Sequence, residues 1–244
     1  MKLRFFGDSW CWSWLPKESI KSNALLTYSF GISDSVPLAI LEWSLKNSGI
    51  ETLTFNNPGA CFKHTTETIL DVHQVNDIND ASYNIVFVSA PYRDIHDIPP
   101  YLTDYDKFID AWDSTIVDCL VKIQQWAVDN DQQVLLLGGH HVIEKRLLDS
   151  LDNKENMHLF SECIVSELSG QDKKGRFRFG DFYQVLDTKT DKRLIDEVWN
   201  DVSKIDNQVK DTLFWPDRCH LNPTAMVLLA DKILYKIEKL EGEK

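Results

Sequence analysis

Residues 84–89 read Asn-Ile-Val-Phe-Val-Ser, an apolar run without the polar alternation of a half-exposed strand. Residues 133–137, Gln-Val-Leu-Leu-Leu, carry the same signature. A strand that is apolar on both faces must be covered on both faces. Sheets of that kind are built from parallel strands, and parallel strands need crossover connections, usually helices. The two runs therefore demand helical segments before, between and after them.

The rest of the chain supplies such segments. Leu3–Phe6 predicts a first short strand ended by Gly7, and Glu51–Phe55 a second, closed by the turn Asn56-Asn57-Pro58-Gly59. Between them a helix is expected from about Pro37, with Asp34 or Ser35 as its cap, apolar residues at Leu38, Ile40, Leu41 and Leu45, and Gly49 as its stop. A helix is expected over His64–Val75. A long one follows Tyr101–Asp106, with Phe108, Trp112, Ile116, Leu120, Ile123 and Ala127 at steps of three or four. A fifth strand is placed near Cys163–Val165, a polar loop at Ser169–Gly180 and a helix at Asp191–Leu213. The last helix has clear start chemistry, Asn222 as N-cap and Pro223 at its first position, and turns Val227, Leu228, Ile233, Leu234 and Ile237 to a core. No repeat or low-complexity linker interrupts residues 1–244, which predicts one α/β domain with a parallel sheet of about five strands between two helical layers.

Charge narrows the class of partner. Lys and Arg number 26 against 38 Asp and Glu, a net charge of −12. Net charge of this sign gives no attraction to nucleic acid or to anionic membranes. No apolar run approaches the length that crosses a bilayer or makes a signal peptide, so the expected compartment is the cytoplasm. The five cysteines, Cys11, Cys61, Cys119, Cys163 and Cys219, are scattered and include no C-x-x-C pair. They read as reduced thiols rather than as a disulfide framework or a zinc site. No metal or other cofactor is expected, and nothing in the sequence speaks to oligomeric state.

In parallel α/β sheets, binding and catalysis gather in loops at the carboxyl ends of strands. After the first strand comes Gly7-Asp8-Ser9, and just before the last helix comes Pro216-Asp217-Arg218-Cys219-His220. Each is an ordinary turn when taken alone. Together they offer a hydroxyl nucleophile, an imidazole base and a carboxylate to orient it. A GDS word near the start and D-x-x-H near the end resemble the SGNH, or GDSL-type, hydrolase family. The layout matches over nearly the whole chain, the specific motifs over about ten residues.

The resemblance implies a three-layer α/β/α, flavodoxin-like fold and Ser-His-Asp chemistry on esters. Ser9 matches the nucleophile, His220 the base and Asp217 the orienting acid. Gly59 matches the glycine whose N–H, with that of Ser9, donates to the oxyanion. The family's third block, G-x-N-D, is replaced here by Ser89-Ala90-Pro91-Tyr92-Arg93-Asp94. Arg93 stands roughly where Asn belongs. Either Arg93 is the third oxyanion donor, or Asn56, Asn57 or Tyr92 supplies it. The chain thus resembles a divergent member of the family.

Other residues near these strand ends carry two readings each. Trp10, Trp12 and Trp14 either stack on a sugar face or hold an acyl chain, or else pack their loop on the body. At least one should line the site. His140 and His141, after the fourth strand, either contact substrate or are satisfied loop residues, and His64 either lines the cleft or simply begins a helix. Trp10, Trp12, Asn57, Tyr92 and His140 form the expected substrate-binding set. The expected function is hydrolysis of an ester, with a small acyl group on a carbohydrate or other polar alcohol. A catalytically weak glycan-binding module is the alternative, motivated by the altered third block. A nucleotide-binding protein is disfavoured, since Gly138-Gly139 lies in no phosphate-loop pattern.

Overall fold

The computed structural model describes residues 1–7, 40–56, 61–72, 82–89, 105–138, 148–149, 151, 155–161, 168, 221 and 223–243. The elements are β1 (Lys2–Gly7), α1 (Ile40–Asn47), β2 (Glu51–Asn56), α2 (Phe62–Val72), β3 (Tyr83–Val88), α3 (Tyr105–Asp129), β4 (Val134–Gly138), β5 (Met157–Ser161) and α4 (Pro223–Gly242). All strand pairs are parallel, in the order β2-β1-β3-β4-β5. This is the doubly wound, flavodoxin-like order.

Strand alternation divides the core into two layers. Leu3, Phe5, Tyr83, Ile85, Phe87, Leu135 and Leu137 face one way and pack with Leu45 of α1 and the buried stripe of α4. Phe6, Val86, Val88, Val134 and Leu136 face the other way, against Phe62, Ile69 and Val72 of α2 and the stripe of α3. Every residue of β3 and β4 is buried, as their unalternated sequences require. Phe108, Trp112, Ile116, Leu120, Ile123 and Ala127 are all buried, so the stripe read along α3 is its core face. Among the described residues no helix is long and apolar enough to cross a membrane.

Helix ends follow local chemistry. Gly49 stops α1 with φ of +75°, the left-handed region that favours glycine. The N–H of Ile50 donates to the Leu45 carbonyl at 3.0 Å and that of Gly49 to the Lys46 carbonyl at 3.0 Å. These are the paired bonds of a Schellman cap, and Ile50 packs against the cluster that holds Leu45. At the end of α3 the same role falls to Asp131, with φ of +50°. There the Gln132 N–H donates to Ala127 at 2.8 Å.

Three expectations change. The fifth strand is Met157–Ser161, not Cys163–Val165, and the latter residues lie outside those described. His158 hides this strand in the sequence, because its polar ring is accommodated by Gln133, Nε2 to Oε1 at 2.8 Å. Helix α2 starts at Phe62, two residues before His64, because Phe62 is a fully buried core residue. Leu228 does not face the core but is 41% exposed. The buried stripe of α4 runs through Ala225, Met226, Leu229, Ala230, Ile233 and Ile237, and Leu228 falls on the opposite side of the helical wheel. The loop expected at Ser169–Gly180 and the helix expected at Asp191–Leu213 lie outside the described residues.

The adjacent leucines make a direct test. Leu229→Ala should destabilise the fold by about 2–5 kcal/mol, and Leu228→Ala by about 0.5 kcal/mol or less, in urea denaturation. Equal costs would contradict the assigned face of α4.

Candidate active site

Because every strand is parallel, all carboxyl ends lie on one rim: Gly7 of β1, Asn56 of β2, Val88 and Ser89 of β3, and Gly138 of β4. The chain passes from β1 out to β2, then back across β1 to β3. The winding direction therefore reverses between β1 and β3, the place where sheets of this order bind ligands as a rule.

Apolar packing makes the floor of that rim. The rings of Phe6 and Phe55, register partners on β1 and β2, stack at 5.2 Å between centroids and 12° between planes. Val88 beside them is buried. Ser89, at the end of β3, is also buried, and its Oγ has no hydrogen-bond partner among the described residues. A buried hydroxyl left without a partner costs about 1–3 kcal/mol.

Helix α4 enters from the same rim. Its far end reaches the start of β3, where burial first, and the charge of Glu241 second, push the Tyr83 phenol above its ordinary pKa. A helix whose carboxyl end meets the amino end of a strand runs antiparallel to the sheet. The beginning of α4 and the buried Leu221 just before it thus lie toward the carboxyl rim. At the amino rim Asn84 Nδ2 donates to Gln132 Oε1 at 3.2 Å and to the Gln133 carbonyl at 3.0 Å.

Ser9, Asp217, His220, Gly59, Arg93, Trp10, Trp12, Asn57, Tyr92 and His140 all lie outside the described residues. The described structure holds their anchors. Ser9 follows Gly7 by two positions, Gly59 follows Asn56 by three, Arg93 follows Ser89 by four, His140 follows Gly138 by two, and His220 directly precedes Leu221.

One polar pair at this end was not legible as a pair in the sequence. Cys61 is 5% exposed and stands at the N-cap of α2, its carbonyl accepting from the Thr65 N–H at 3.2 Å. Its Sγ lies 3.2 Å from Nδ1 of the exposed His64. The available signal was the three-residue spacing at a helix start, which brings side chains to one face. A second free thiol, Cys119 of α3, is buried nearby. Burial pushes its pKa up, while a side-chain hydrogen bond with Thr66 and the charge of Lys122 pull the other way. Among the described residues no three His, Cys, Asp or Glu side chains gather to hold a metal ion.

Comparison with solved structures finds matches over nearly the full chain. The lipase Lip_vut3 from a goat rumen metagenome superposes with a TM-score of 0.50 at 11% identity, covering 96% of both chains. The acetyl xylan esterase AlAXEase gives 0.46 at 16% identity, over 97% of this chain and 100% of that one. Axe2, an acetylxylan esterase from Geobacillus stearothermophilus solved as a catalytic mutant, gives 0.37 at 13% identity, over 97% and 93%. No protein-family model and no curated protein matches the sequence. At such identities the likeness to the lipase concerns the fold alone.

Thiol labelling tests the packing of α2 on α3. Cys119 should react with iodoacetamide on the order of a hundredfold more slowly in the folded chain than in urea, because the attacking thiolate is disfavoured and covered. Equal rates in the two states would show that this layer is open.

Proposed function

We propose that this chain is a serine hydrolase that cleaves an ester through an acyl-enzyme. The observation that carries the proposal is the common rim: the carboxyl ends of β1, β2 and β3 and the approach to α4. Chain connectivity limits Ser9 Cα to about 7 Å from that of Gly7, and His220 Cα to about 3.8 Å from that of Leu221. The two words GDS and D-x-x-H are thus each held close to a described anchor. Their arrangement also matches the order seen in the SGNH family. A neighbour that shares the fold is a lipase by name, which agrees with ester chemistry by analogy.

In this mechanism Ser9 Oγ attacks the ester carbonyl carbon while His220 takes its proton. Asp217 holds the imidazole in the productive tautomer and stabilises the imidazolium that forms. The carbonyl oxygen becomes an oxyanion, met by the N–H groups of Ser9 and Gly59 and by Arg93 in place of the family Asn. An Arg at that place brings a full positive charge and a planar fork of donors. Collapse of the tetrahedral intermediate expels the alcohol, which takes the proton from His220. Water then attacks the acyl-Ser9 ester with His220 as base, releasing the carboxylic acid and restoring Ser9.

The proposed substrate is a small acyl group, such as acetyl, on a carbohydrate or other polar alcohol. Trp10 and Trp12 directly follow the nucleophile, and flat aromatic surfaces suit sugar faces. Acetate release from a partly acetylated xylo-oligosaccharide tests both parts. The wild-type chain should release acetate, and Ser9→Ala should lower kcat by at least about a thousandfold with an unchanged melting temperature. Full activity in Ser9→Ala would refute the mechanism.

A further inference from the structure

We draw no further inference here: the strongest candidate, the buried Ser89 hydroxyl without a hydrogen-bond partner among the described residues at the carboxyl end of β3, belongs to the candidate site already described, and no described residue shows what it would bind.

Discussion

Two-sided burial of β3 and β4 is the constraint from which the remaining architecture follows. Their inward residues on one face are Tyr83, Ile85, Phe87, Leu135 and Leu137, and on the other Val86, Val88, Val134 and Leu136. Neither set can face water without giving up most of the apolar burial that holds the domain together. Two helical layers are therefore obligatory, and α1 with α4 and α2 with α3 provide them. Once helices connect the strands, the strands run parallel, and once they run parallel their carboxyl ends share a rim. The place for chemistry is thus a by-product of how the core is covered.

That rim has an apolar floor. Phe6, Phe55 and Val88 close the core from below, and Ser89 is a buried hydroxyl at the end of the central strand. At the opposite rim Asn84 is hydrogen-bonded to Gln132 and to the Gln133 backbone, and His158 to Gln133. At the start of α2 the buried Cys61 thiol lies 3.2 Å from Nδ1 of the exposed His64.

How far the sequence spoke depended on whether a pattern had a period. The four strands through Gly138 and the α3 stripe fell where apolar spacing put them, because burial on a fixed face leaves a repeat in the residues. Edge strand β5 was misplaced because only its Met157 and Leu159 serve the core layer against α3, while His158 reads as loop. Leu228 was misjudged because hydrophobicity alone does not say which side of a helix a residue occupies; its neighbours Met226, Leu229 and Ile233 define that side. The candidate site was proposed in another way, from two short words, GDS and D-x-x-H, whose meaning lies in residue type and order. Loop conformation leaves no period, so the sequence named Ser9, Asp217 and His220 without giving their distances. The pairing of Cys61 with His64 needed coordinates, since each residue alone reads as an ordinary thiol or surface imidazole.

The central claim is that Ser9 is a nucleophile activated by His220. Covalent labelling with a fluorophosphonate, followed by mass mapping of the modified peptide, tests it most directly. Stoichiometric label on Ser9, abolished in His220→Ala, is the predicted result. A folded chain that takes up no label, or carries it on another residue, would contradict the account.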